Sequence, residues 1–454
     1  MMTAVEHERE HATRAGPRRW LGPALDLFVV ALAVVLVVIA ALGGWQLRAR
    51  GVDIFLGWPP LLAGWAPHWG SGTVPAVLLA AVLVIRGPEL AVRLRWPVLL
   101  TAAYLISVAW TTALALVDGW DVGIAGRLTS DKEYYHDVGR VHDIVAMLGQ
   151  FSQHVLTDTP APWSMHVGAH PPGAFLLYVS MHLLGLGGGG AGMVTILIGA
   201  SAAVAVAVTL RALASEDLAR RVLPFAVLFP GAVWVGVSAD GMFAGILAWG
   251  VALVALGCAA SSWPRRFVAF GGGVLLGYSL YLSYGLATAA LLPIAVFAVT
   301  RRWLGAAFAV LGVVAVVGAF TALGFWWFTG FDLVRIVYAD SVAKTRPYSY
   351  FVWSNIAALL FALGPAVVVG VRRMVANPKR LPLIAVLLAA AAAIAVAASD
   401  YSGMSKAEVE RIWLPFAVWL LIPCAAIPRG QARYWLAAQG VLALLVNHLL
   451  FTIW

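Results

Sequence analysis

"ALDLFVVALAVVLVVIAALGGWQ", residues 24–46, decides the fold. As a helix rising about 1.5 Å per residue it is long enough to cross the hydrocarbon core of a bilayer. It is also too long, and has too many successors, to be only a cleaved signal peptide. Similar runs recur near 73–86, 97–117, 191–210, 222–237, 241–258, 267–283, 286–300, 304–326, 351–371, 382–398, 412–427 and 434–453. With 62% hydrophobic and only 11% charged residues, the chain departs from soluble domains, which are about a quarter charged. The expectation is an all-α polytopic membrane protein of about thirteen crossings, its residues 24–454 forming one transmembrane domain behind a cytoplasmic tail, 1–23.

The net charge of +9 would suggest a nucleic-acid partner in a soluble chain. Here the cations fall in short loops between apolar runs, so they are read as positive-inside signals and no nucleic acid is expected. Arg14, Arg18 and Arg19 place the N-terminus in the cytoplasm, and pairing the later runs between basic clusters leaves the C-terminus outside. Cys258 and Cys424 each lie within an apolar run and are read as packing residues, not a disulfide.

One stretch resists the pairing. Residues 173–186 and 191–210 are both apolar, yet only one crossing fits between the outer segment 118–172 and Arg211. The first stretch is short, so 118–190 is expected to be an extracytoplasmic loop with juxtamembrane helices and a re-entrant segment. Residues 138–156 have the apolar spacing of an amphipathic helix lying on the membrane surface.

Acidic residues gather on that same face: Asp118, Asp121, Glu133, Asp137, Asp240, Glu408 and Glu410 among them. Insertion does not require this bias, so a chemical use outside would explain it. Asp118, at the mouth of the third run, is the first choice for a catalytic base, with Glu133 and Asp137, four apart, as close alternatives. The same carboxylates also fit a solvated loop. His136, His166 and His170 sit in the loop, and "HPPG", 170–173, fixes an extended entry into a helix starting at Gly173 or Ala174. Here the alternative is a structural turn with His at a polar interface. No compact metal-ligand spacing occurs, so no metal site is assigned and a divalent cation is left open.

Arg411 stands on the outer face against the inside bias, beside Glu408 and Glu410. It could bind phosphate bidentately or simply pair with a neighbouring Glu. Asp240 could hydrogen-bond sugar hydroxyls, orient a loop Arg or cap a helix. Arg335, Lys344 and Arg346, with Tyr338, Tyr348 and Tyr350, form an exterior cationic and aromatic group that suits a glycan or pyrophosphate surface or an interfacial belt, and Tyr281 and Tyr284 in "YLSYG" share the belt reading.

An acidic outer loop followed by "HPPG", then "VSADGMFAGILAWGVAL" (237–253) and "AEVERIWLPF" (407–416), resembles the GT-C superfamily of polyprenyl-phosphate-sugar-dependent glycosyltransferases. The resemblance covers most of 97–430 and is nearest to actinobacterial envelope enzymes such as methylthioxylose transferases. It implies a GT-C-like bundle in the plasma membrane with its active site on the extracytoplasmic face. It further implies a polyprenyl (decaprenyl) phosphate sugar donor and an envelope glycan acceptor such as lipoarabinomannan or arabinogalactan. The implied route is inverting, with a carboxylate base and with Asp121, His136, His166, His170, Asp240, Tyr284, Arg346, Glu408, Glu410 and Arg411 at the substrates. A transporter or flippase of a lipid-linked sugar, or a scaffold subunit of an envelope complex, are the rival expectations.

Overall fold

The computed structural model describes residues 18–452, so most of the expected tail lies outside the described residues. The described residues are mostly helical, with almost no sheet. The principal helices begin with α1 (Arg18–Ala49), α2 (Thr73–Arg93) and α3 (Trp96–Ala115). After the loop come α4 (Pro172–Leu183), α5 (Gly188–Ala200), α6 (Ala202–Leu213), α7 (Glu216–Val227) and α8 (Ala239–Cys258). Then follow α9 (Trp263–Leu280), α10 (Leu291–Thr300), α11 (Trp303–Ala322) and α12 (Trp327–Asp340). The last are α13 (Tyr348–Leu363), α14 (Pro365–Ala376), α15 (Leu383–Tyr401), the single turn α16 (Val409–Ile412) and α17 (Ala432–Leu449). A two-stranded antiparallel ribbon, β1 (Ala63–Trp65) with β2 (Leu450–Thr452), was not anticipated from the sequence.

Among the described residues, seven helices are long and apolar enough to cross a membrane, or eight if one bent pair counts as a span. They are α1, α2, α3, the joined α5–α6, α8, α11 and α15. The stretch at 173–186 forms α4, only 12 residues long, too short to span at about 1.5 Å per residue. Some expected crossings are broken helices. Residues 222–237 end α7 before "FPG" and resume as a short turn, and 412–427 breaks into pieces around Pro415 and Pro423.

The expected span 351–371 is the bent pair, α13 and α14 meeting at 106°. Gly364 takes φ +75° there and Pro365 has no N–H to continue the helix. The fully buried Gln439 repairs the break, donating Nε2 to the Leu363 carbonyl (2.8 Å) while its Oε1 accepts from the Ala366 N–H (3.3 Å). In an apolar surrounding those freed backbone groups need such partners.

Small residues let helices approach. A Cβ on Gly273 of α9 would lie 1.9 Å from the Ala309 carbonyl of α11, so the two backbones touch. Burial ranks the spans: 78% of the apolar window of α8 is enclosed against 11% of that of α1, so α8 is the centre of the bundle and α1 its lipid-facing margin. An acid within α1 was not flagged from the sequence. Asp26 is buried and pairs with Arg372 (2.6 Å) and with Arg373, both on α14. That ion pair docks the marginal helix.

Candidate functional site

The loop after α3 is a chain of short turns, not one surface helix. Asp143 caps a single helical stretch, Ile144–Gln150, by accepting from the Val145 and Ala146 N–H groups. Met147, Leu148, Phe151 and Val155 are buried while Val145 is exposed, so the expected continuous helix over 138–156 is divided.

Its most consequential act is to seat residues 164–166. Asp137 accepts the Ser164 N–H (2.7 Å) and an Arg140 N–H (2.8 Å). The Lys132 carbonyl accepts the His166 N–H (3.0 Å). Glu133 then meets the His166 ring, Oε1 to Nδ1 2.8 Å. Burial by itself raises the Glu133 carboxyl, but His166, with Arg411 and His170 behind it, draws it below the usual range.

"HPPG" makes a turn from which α4 starts at Pro172, one residue before the expected start. The turn is docked by the Ala174 N–H donating to the Tyr281 carbonyl (3.1 Å) and by the Tyr278 hydroxyl donating to the Gly173 carbonyl (2.8 Å). His170 folds back so that Nδ1 lies 2.9 Å from the His166 carbonyl. Burial pushes the His170 ring down to about 4, against the pull of Asp240, so at neutral pH it is an uncharged donor and acceptor.

Arg411 joins three distant segments. Its Nη1 donates to Asp240 Oδ2 (2.5 Å) and its Nη2 to Glu408 Oε2 (2.7 Å), with His166 Nε2 3.3 Å from Nη2. Asp240 is therefore not the helix cap. Ser238 caps α8, and Asp240 stands in its first turn, where the helix dipole favours a carboxylate. Burial opposes the Arg411 charge, but Asp240, Glu408 and Glu133 more than offset it.

Glu408 is placed by backbone that few side chains adopt. Ala407 and Glu408 have φ +75° and +63°. Asn355 of α13 holds them, its Oδ1 accepting the Ala407 N–H (3.2 Å) and its Nδ2 donating to Asp400 (2.8 Å) and the Ser405 carbonyl (2.7 Å). Arg346 ties the same loop to residues before α2, donating to the carbonyls of Lys406 (2.7 Å) and Ile54 (3.1 Å) and lying 3.9 Å from Glu408.

These groups border a cavity of about 1000 Å³. Of the residues expected at a site, His166, His170, Tyr284, Arg346, Glu408 and Arg411 line it. Glu133 and Asp240 stand one bond behind. Glu410 is buried beside them without lining it, one carboxyl oxygen having no partner.

Four expected residues lie elsewhere. Asp118 belongs to a separate clasp, bound by Arg127 (2.6 Å) and His68 (2.7 Å), with Arg127 also donating to the Thr452 carbonyl. Asp137 braces the loop as described, and Asp121 and His136 are exposed. The sequence did not point to Trp327, Asn355 or Lys406; Tyr338, of the exterior cationic and aromatic group, does line the cavity. Asn355, a strong hydrogen-bonding group inside an apolar run, carried the one usable signal.

The cavity has two characters. Around Arg411 it is cationic and imidazole-rich; along α12, Val334, Val337 and Trp327 make an apolar wall. Among the described residues no three His, Cys, Asp or Glu side chains group as a metal site requires. No protein-family model matches the chain, and no curated protein matches it.

Proposed function

We propose that the chain is a membrane glycosyltransferase of the GT-C kind, moving a sugar from a polyprenyl monophosphate to a hydroxyl of an extracytoplasmic envelope glycan. The observation that carries this reading is one cavity that presents guanidiniums and a carboxylate-backed imidazole at one end and an apolar wall at the other. A lipid phosphate needs both: fixed cations for its charge and an apolar path for its chain.

In this reading Arg411, with Arg346 and Lys406 beside it, binds the phosphate. Tyr284 and Trp327 offer ring faces to the sugar. A phosphate oxygen that takes the Nη2 hydrogen bond releases His166 Nε2 for the acceptor. His166 then removes the acceptor hydroxyl proton as that oxygen bonds to the anomeric carbon and the anomeric C–O bond breaks, its electron pair leaving on phosphate. Glu133 holds the ring in the Nδ1–H tautomer and stabilises the imidazolium. One base and one anion clamp describe a single, inverting displacement. The base assignment thus moves from Asp118 to the Glu133–His166 pair.

The test supplies membranes with labelled polyprenyl-phosphate sugars already on the cavity side, together with envelope glycan. Transfer that disappears in His166→Ala supports the reading. Transfer unchanged in His166→Ala, or sugar lipid that changes leaflet without transfer, overturns it.

A further inference from the structure

The opposite end of the bundle holds a second polar feature. Asp240 stands in the first turn of α8 at the cavity, and Cys258 closes the helix 18 residues later, about 27 Å away by helical rise. At that far end a cleft of about 70 Å³ lies between α2, α7 and the start of α17, with Arg221, Arg429 and Asp217 on its rim and Pro88, Phe225 and Leu436 among its walls.

Its charges do not balance. Arg429 pairs with Asp217. Arg86 (3.5 Å), Arg93 (3.0 Å) and Arg433 (3.8 Å) all share Glu89, one residue from Pro88. Arg221 has no carboxylate within ion-pair distance among the described residues; its guanidinium donates only to the Ile427 carbonyl, at 3.3 Å. The lining of the cleft thus sets one carboxylate, Asp217, against the guanidiniums of Arg221 and Arg429, and the neighbouring Glu89 is already shared by three others. Arg220, by contrast, is wholly occupied by Glu216 and the carbonyls ending α2. Burial, and then Arg429, pulls Arg221 below its usual range, as expected of a half-buried cation facing a like charge.

We propose that this cleft binds the phosphodiester headgroup of an anionic phospholipid, with Arg221 as its principal ligand and Arg429 as its second. A phosphate oxygen between the two guanidiniums supplies the missing negative charge, and Arg presents the forked donors such a group takes. The apolar walls favour a lipid over a free ion. So does the setting: Val92 and Tyr434, on the two helices that frame the cleft, are widely exposed, as lipid-facing side chains are. The inference does not depend on the catalytic reading.

The test is native mass spectrometry of the full chain released from mixed vesicles of phosphatidylglycerol and phosphatidylcholine. The wild type retains phosphatidylglycerol; Arg221→Gln retains it about fivefold less or weaker still, and Arg221→Lys falls between. Lys379→Gln, at an exposed basic position outside the cleft, leaves retention unchanged. If Arg221→Gln does not fold, Arg429→Gln gives the same comparison. Equal retention by wild type and the cleft variants, or phosphatidylcholine held as firmly, overturns the proposal. So does thermal protection by inorganic phosphate equal to that by the lipid, which would make the ligand a free ion.

Discussion

Nε2 of His166 lies 3.3 Å from Nη2 of Arg411, although 245 residues of chain separate them. Proposed base and proposed anion clamp therefore share one hydrogen bond, and occupation of the clamp controls the base. Arg411→Lys keeps a charge but loses the fork that reaches Asp240 and Glu408 together. The expected result is a loss of about 10²–10³ in kcat with the protein still folded. Arg411→Ala leaves the buried Asp240 carboxylate without the partner that neutralises it, with Glu408 retaining only Arg346 at 3.9 Å, and costs about 3–5 kcal/mol of stability. Single-turnover rates and thermal unfolding of the two variants separate these effects; full turnover in Arg411→Lys sinks the clamp.

Glu133 and Asp118 are both carboxylates of the segment that follows α3, but the fold gives them different neighbours. Glu133→Gln removes the acceptor that fixes the His166 tautomer, and kcat falls about 10²–10⁴-fold with KM for the donor little changed. Asp118→Asn alters only the clasp with His68 and Arg127, so turnover stays near wild type. The Glu133 carboxyl is held below its unfolded value, so its stabilisation is present above about pH 4.5 and lost as pH falls through its lower folded pKa. Acid unfolding of Glu133→Gln is accordingly less steep. The reverse ranking of the two variants in turnover would return the base to Asp118.

Glu410 predicts a pH dependence of opposite sign. Burial pushes its carboxyl up from 4.5 to about 7, and Glu408 adds to the push. The folded state thus holds this proton more tightly than the unfolded chain does. The associated stability is complete below about pH 4.5 and is lost as pH rises through about 7, on the order of 3 kcal/mol in all. Glu410→Gln keeps the neutral form at every pH. Its Tm advantage over wild type is expected to grow between pH 5 and about pH 8. Parallel Tm curves across that range would show that Glu410 is already charged in the fold.

Composition and run length sufficed for the helical membrane class, the acids gathered on the face expected to lack basic clusters pointed to Glu133, Asp240 and Glu408, and a cation against that expected bias pointed to Arg411. Those residues were legible because charged side chains at the ends of apolar runs stand out in hydropathy whatever the fold. Their partnership was not legible, because it depends on three segments meeting at the start of α8. Asp118 and Glu133 look alike in sequence, and only the docking of 132–137 on 164–166 separates them. Broken spans escaped for another reason. Hydropathy averages over a window, and a Gly-Pro pair or a Pro inside "LLIPCAAIPRG" (420–430) barely moves the average while it stops a helix.

The bend between α13 and α14 offers the clearest check on how such a break survives among apolar helices. Gly364 needs φ +75°, and a Cβ there would fall 1.9 Å from Gln439 Oε1. Gly364→Ala therefore strains the backbone and displaces the side chain that satisfies Leu363 and Ala366. Gln439→Ala leaves the backbone conformation alone but strands that carbonyl and N–H, at about 1–3 kcal/mol each. Gln439→Glu, protonated, restores one donor and recovers part of the loss. Because both Gly364→Ala and Gln439→Ala damage the same two hydrogen bonds, the double variant should lose clearly less stability than the two losses added. Thermal unfolding of the four proteins in one detergent measures the coupling. Strict additivity would mean that Gln439 does not carry the bend, and that the freed groups at 363 and 366 find their partners elsewhere.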